Sequence, residues 1–333
     1  MKTNTVVFLL LWPGILSAQA QGTSPLTLQR TIALPDGTGK FDHFAYSPSS
    51  NRLFVAATGN HSIEVIELSN DKVVQTVPGL GKPHGLAWVA EMGRLFASDG
   101  LQADLKIYDG TPLKQMKSIQ LSEDADDMVY DGKTKLLYTG HGGSATDPAM
   151  IAVVDTTNGT LVTNLPVSTH PEGMDIDPAH ERIFANIADS AEVAVIDGAN
   201  HTQSATWKLT GAKDNVPLAY DEEHQVLFVA CRTPARLVVL DGNSGKELAD
   251  LPSDSGADDL FYDAELHRIY LIAGSGAIDV YEIDASKNIR PAGVTQTSVG
   301  AKTGLLVPSQ HSLYVGAAAK GGKQAAILVY STR

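Results

Sequence analysis

Asp42, His84, Asp126, Glu172 and Asp258 recur at intervals of about 43 residues, or twice that across one gap. Each stands two places ahead of an apolar residue that opens a short hydrophobic run. Val216 and Thr303 fill the two remaining equivalent positions. One place later the column reads His43, Gly85, Asp127, Gly173, Pro217, Asp259 and Gly304. Four carboxylates and an imidazole brought to one place repel one another unless a cation or protons intervene. The mixture suits a divalent cation. Carboxylates favour calcium or magnesium, and the imidazole favours zinc or another transition ion. The competing reading is a hydrated polar pore whose acids accept backbone N–H bonds. A turn motif would tend to repeat in every copy. This column is broken at Val216 and Thr303, and that asymmetry points to a site.

The runs behind these residues are the elements that must position them. Phe-Ala-Tyr at 44–46 has counterparts beginning at Leu86, Met128, Met174, Leu218, Leu260 and Leu305, which makes seven copies. In the first copy the pattern predicts strand a over 43–46, strand b over 52–56, strand c over 62–68 and strand d over 72–77. Seven four-stranded units with a period of 40–45 residues give an all-β, seven-bladed β-propeller. The seventh copy supplies strands a to c only, at 305–307, 313–316 and 325–330. The segment 26–34 reads as a strand without a blade of its own. The N-terminal strand is therefore expected to complete the last blade and cover its open edge. In such a ring strand a lines the central channel. The d–a and b–c loops form one face, called the top here, and the a–b and c–d turns form the other. Because successive strand residues alternate in direction, only one of the two polar columns is expected to face the axis squarely. The first is favoured, since Gly85, Gly173 and Gly304 in the second suggest close backbone packing.

The strand c phrases Val-Val-Asp (153–155), Val-Ile-Asp (195–197) and Val-Leu-Asp (239–241), with the Pro-x-Gly starts at 83–85 and 171–173, resemble the YVTN-type seven-bladed propeller repeat family of exported prokaryotic proteins. The resemblance covers essentially all of the chain after the leader. It implies a secreted or periplasmic propeller, often a binding or surface protein. Seven-bladed lactonases and metal-dependent gluconolactonases share the architecture, but their catalytic motifs find no match here, and fold alone does not fix an activity.

Residues 1–20 read as a signal peptide. Lys2 precedes an apolar run over 6–16, and Ala18-Gln19-Ala20 is a cleavage site. That run is too short to span a bilayer, and no second one follows. Residues 21–333 are expected to form a single propeller in the periplasm or outside the cell. Without the leader 24 Lys and Arg face 38 Asp and Glu, a net charge of −14, which argues against a nucleic-acid partner. The lone cysteine, Cys231, follows a strand pattern and reads as a buried small hydrophobe. The strand c acids Glu67, Asp109, Asp155, Asp197, Asp241 and Glu282 read as turn chemistry. Trp88 and Trp207 read as core residues.

The histidines sort by face. His180, His201, His224, His267 and His311 fall in bottom turns and read as solvated. His43, His61, His84, His141 and His170 belong to the top, with His141 at the start of a long loop, 140–148, that could overhang the channel. Arg232 and Arg236 lie in another top loop and could bind an anion. The expected metal ligands are thus Asp42, His84, Asp126, Glu172 and Asp258, and the expected ligand-binding residues are His43, His141 and Arg232. No nucleophile elbow or phosphate loop is present. The sequence therefore points to a monomeric propeller that binds a small molecule, metal or protein partner at the top of its channel. The alternative is a metal-dependent, lactonase-like hydrolase or lyase in which His141 or His84 transfers the proton. A purely structural surface propeller is the third reading.

Overall fold

The computed structural model describes residues 24–37 and 39–333. The expected signal peptide lies outside the described residues. The chain forms seven four-stranded antiparallel sheets. Blades 1 to 6 occupy 44–78, 83–120, 128–166, 171–208, 213–252 and 257–296, each with its strands in chain order. Blade 7 is built from Gly304–Val307, Ser312–Ala317 and Ala325–Ser331, with Thr27–Leu34 as its fourth strand. That strand pairs from Thr27 opposite Ser331 to Leu34 opposite Ala325. The innermost strands of consecutive blades touch, and blade 7 touches blade 1, so the ring is closed. The architecture is a seven-bladed β-propeller.

Strand b carries the packing code. Its third residue is Phe54, Phe96, Tyr138, Phe184, Phe228, Tyr270 or Tyr314 in blades 1 to 7, and all seven are fully buried. An aromatic ring at this position is large enough to fill the wedge between neighbouring sheets. Phe54 sits among Ala45, Leu86 and Leu95, which join blades 1 and 2. Trp88 stacks on Phe54 with centroids 5.0 Å apart, and Trp207 lies 5.5 Å from Phe184. Ile32 and Leu34 of the closing strand are buried with Ile327 and Val329. Cys231 is buried and free, and burial pushes its thiol up to about 12.

Three of the six strand c acids serve their turns as expected, whereas Glu67 pairs with Arg52 and Glu282 with Arg268 and Arg290 of neighbouring strands. Asp155 accepts the N–H of Thr157 and Asn158, Asp197 those of Ala199 and Asn200, and Asp241 those of Asn243 and Ser244. Among the described residues no helix is long and apolar enough to cross a membrane.

Candidate metal and ligand site in the central channel

The seven innermost strands enclose a cavity of about 440 Å³, with Phe44, Leu86, Met128, Met174, Leu218, Leu260 and Leu305 in its wall. The polar columns stand at the starts of these strands. Both of them line the cavity: Asp42, His84, Asp126, Glu172 and Asp258 from the first, and His43, Asp127 and Asp259 from the second. The expected choice between the columns fails for a local reason. In blade 1 Ala56 bonds both Asp42 and His43, in blade 3 Gly140 bonds both Asp126 and Asp127, and in blade 6 the pairing of strand a with strand b shifts register between Ala257 and Asp259. A bulge breaks the two-residue alternation, so adjacent side chains can turn to the same side. The glycines of the second column do mark close approach. A Cβ on Gly85 would lie 2.5 Å from the Asp126 carbonyl oxygen, and one on Gly173 would lie 2.7 Å from that of Val216.

The two columns do different work. Each innermost strand has one unpaired edge whose N–H groups need acceptors. The second-column acids supply some of them. Met128 and Met174 N–H donate to Asp127 at 2.7 and 3.3 Å, and Gly304 N–H donates to Asp259 at 2.6 Å. Asp175 belongs to the same class and accepts the N–H of Ile176 and Tyr220 at 2.8 and 2.7 Å. These carboxylates stitch neighbouring blades together.

The first column makes a cluster. One ligating atom each of Asp42, His84 and Asp126 lie within 4.8 Å of one another. His84 Nδ1 is 2.6 Å from Asp42 Oδ2 and 3.5 Å from Asp126 Oδ1. Burial works against charge on all three. The His84 hydrogen bond and the nearby His43 outweigh it at Asp42, which is held below the usual carboxylate range. Burial dominates at Asp126, which is pushed up. His84 is raised, because Asp42 and Asp126 overcome its desolvation. Glu172, one blade on, is raised by burial and by the Asp126 charge.

His43 stands at the centre. Its Nδ1 is 3.1 Å from Asp259, and its Nε2 is 3.6 Å from Asp42 and 4.0 Å from Asp127. Its burial is overcome by Asp127 and Asp259, and its pKa rises well above the ordinary value. His43 is thus a built-in counter-ion. Even beside it, burial pushes Asp127 up to about 6.

Asp258 does not join the cluster. In blade 6, across the ring from blades 2 and 3, it is gripped by the Arg232 guanidinium and the Lys302 ammonium. A carboxylate holding two protein cations is a poor metal ligand. The structure therefore brings together three of the five expected ligands, with Glu172 beside them. Arg232 does face the cavity, whereas Arg236 pairs with Asp250 at 2.6 Å. His141 is not at the site. It is buried on the strand Leu136–His141, its Nδ1 accepts the Ser122 N–H at 3.1 Å, and its Nε2 lies 3.1 Å from Asn164 Oδ1. Burial lowers its pKa, so it is a neutral packing residue with both nitrogens engaged.

Lys302 belongs to neither polar column, yet the sequence carries a signal for it. The position just before the first column is Phe41, Pro83, Ala125, Pro171, Asn215 or Ala257 in the other blades, so Lys302 is its one charged member. His170 also reaches the rim, with Nδ1 2.6 Å from the Gly142 carbonyl and Nε2 3.9 Å from Asp126.

No family model matches the chain. It is 27% identical over 153 residues to the seven-bladed beta-propeller protein Rv1057 of Mycobacterium tuberculosis, a match spanning 45% of this chain and 38% of that protein. A chain of the Kuenenia stuttgartiensis hydrazine synthase superposes with a TM-score of 0.76 at 16% identity, covering 93% of this chain and 97% of that one. A chain of the mitotic checkpoint complex also gives 0.76, at 13% identity and 99% coverage of each. A functionally unknown protein from Desulfotomaculum acetoxidans gives 0.68 at 12% identity, covering 78% of this chain and 87% of that one. At such identities the likeness is one of fold. What the comparisons share with the geometry is the seven-bladed β-propeller.

Proposed function

We propose that this chain is an exported, monomeric propeller of the YVTN type that binds a divalent cation at the mouth of its channel. Asp42, His84 and Asp126 are the ligands, and a small molecule is received in the cavity beneath. The observation that carries the reading is the convergence of those three side chains within 4.8 Å. A proton now lies between His84 and Asp42, and a cation would take its place. Two carboxylates and one imidazole suit a borderline first-row ion such as zinc or manganese better than calcium, which takes six to eight oxygens. Arg232 and Lys302, on the far wall, leave one positive charge after neutralising Asp258. A ligand with an anionic end would be oriented between that wall and the cation.

The test is metal titration of chelator-stripped protein, followed by calorimetry and elemental analysis. The wild type should bind one more equivalent, with micromolar or better affinity, than either Asp126→Asn or His84→Gln. A stoichiometry that neither substitution lowers sinks the assignment.

Metal-assisted hydrolysis of a lactone is the second reading, favoured by Glu172. It borders the cavity beside Asp126, makes no hydrogen bond among the described residues and has a raised pKa. A cation at the cluster would supply Lewis acidity, and Glu172 would accept the proton of the attacking water. A lactone panel assayed with and without metal separates enzyme from binder. Turnover that persists after complete metal removal excludes the metal-dependent route.

A further inference from the structure

We propose that Glu223, His224 and His267 form a second metal site, for a transition ion, on the bottom face of the ring, where it bridges blades 5 and 6. One ligating atom of each lies within 4.8 Å of the others. A tetrahedral zinc with bonds of about 2.05 Å needs ligand atoms about 3.3 Å apart, so only side-chain rotation is required.

The surroundings prepare both imidazoles. Asp221 ends the inner strand of blade 5 and is 1% exposed. It accepts the His224 N–H at 3.1 Å and the His224 Nδ1 hydrogen at 2.6 Å. That fixes the tautomer and leaves the Nε2 lone pair outward, the arrangement in which a carboxylate supports a metal-binding histidine. The His224 side chain is only 10% exposed, which departs from the solvated turn residue expected at this position. His267 approaches from blade 6. Its backbone is left-handed at φ 50°, and its ring meets that of His224 edge-on at 5.7 Å. The Tyr262 hydroxyl is 3.2 Å from His267 Nδ1 and also interacts with Asp221. A hydroxyl donating to Asp221 accepts from Nδ1–H, so the second Nε2 is freed as well.

The repeat supplies an internal contrast. In blade 4, His180 makes the same bond to Asp177 at 2.8 Å, yet Arg182 grips Asp177 too and His180 is 47% exposed. The residue of blade 5 equivalent to His267 is Gln225, so no second imidazole faces His180. Two imidazoles and one exposed carboxylate select zinc, copper or nickel over calcium and magnesium.

Copper(II) is the probe, added to chelator-stripped full-length protein carrying His84→Gln and Asp126→Asn. One equivalent should bind, and its paramagnetic resonance spectrum should show hyperfine structure from two imidazole nitrogens. Adding His224→Gln and His267→Gln should weaken binding at least 100-fold and remove that structure. Asp221→Asn, which touches no metal, should weaken it about 10- to 100-fold through the His224 tautomer. Circular dichroism checks folding. If His224→Gln does not fold, His267→Gln and Glu223→Gln, the one half-buried and the other exposed, are read in its place. Binding that is unchanged in these variants, or no copper bound below about 100 µM, overturns the proposal.

Discussion

Replacing Asp175 by Asn tests whether the channel holds a neutral carboxylic acid. Asp175 accepts two backbone N–H bonds from within its inner strand and from the next blade, and burial raises it from 3.8 to about 6. The unfolded chain releases this proton near 3.8, whereas the folded chain keeps it to about pH 6. Between those values the folded state binds more protons, so stability falls as pH rises through the window and is level above it. A shift of about 2 units corresponds to about 3 kcal/mol at 1.36 kcal/mol per unit. Asp175 borders the water of the cavity, which screens part of that cost, so about 1.5–3 kcal/mol is expected. Asn has nothing to ionise, but the two backbone N–H groups meet different oxygens of Asp175, and the Asn Nδ2 that replaces one of them cannot accept, so one bond is lost at every pH. Urea unfolding followed by tryptophan fluorescence should find the variant less stable than the wild type by about 1–3 kcal/mol at pH 4, the cost of that lost bond. At pH 7.5 that deficit should have shrunk by about 1.5–3 kcal/mol, because only the wild type loses stability as its acid ionises. An equal difference at both pH values would falsify the claim that burial keeps this acid protonated.

Three further outcomes follow from the packing. Gly173→Ala places a methyl group against the Val216 carbonyl oxygen and should cost about 1–3 kcal/mol in the same unfolding assay, with no effect meaning the blades can separate there. Phe184→Ala empties a fully buried wedge and should cost about 3–5 kcal/mol, against under 0.5 for the exposed Lys114→Ala. Cys231 should resist thiol reagents in the folded protein and react at once in denaturant, since its thiol is buried and pushed up to about 12; fast labelling of native protein contradicts the fold around blade 5.

The sequence carried the fold because a repeat states its periods seven times over. The apolar runs, the strand b aromatics and the orphan strand near Leu26–Leu34 are one-dimensional signals, and the strands fall within a residue or two of where they were expected. The site was half legible. Asp42, His84 and Asp126 could be lined up by counting, but what surrounds them depends on bulges and on contacts between distant blades. Counting could not show that the bulges turn His43, Asp127 and Asp259 inward as well. Nor could it show that Lys302 reaches Asp258 and disqualifies it as a ligand. His141 misled because it sits at a loop's start, whereas the strand continues through it and buries its ring.

The closing strand has a kinetic consequence. Thr27 pairs with Ser331, so the two halves of blade 7 are separated by nearly the whole chain. Bringing such distant segments together costs about 5 kcal/mol of chain entropy before any contact rewards it, by the logarithmic loop-closure estimate. Six blades can form from local hairpins as the chain emerges, but the seventh must wait for Ala325–Ser331. Until then blade 7 presents an unpaired edge open to another copy. A permuted gene that places 24–40 after Arg333 would make every blade local. It should give the same folded ring, reached faster and with less aggregation during refolding.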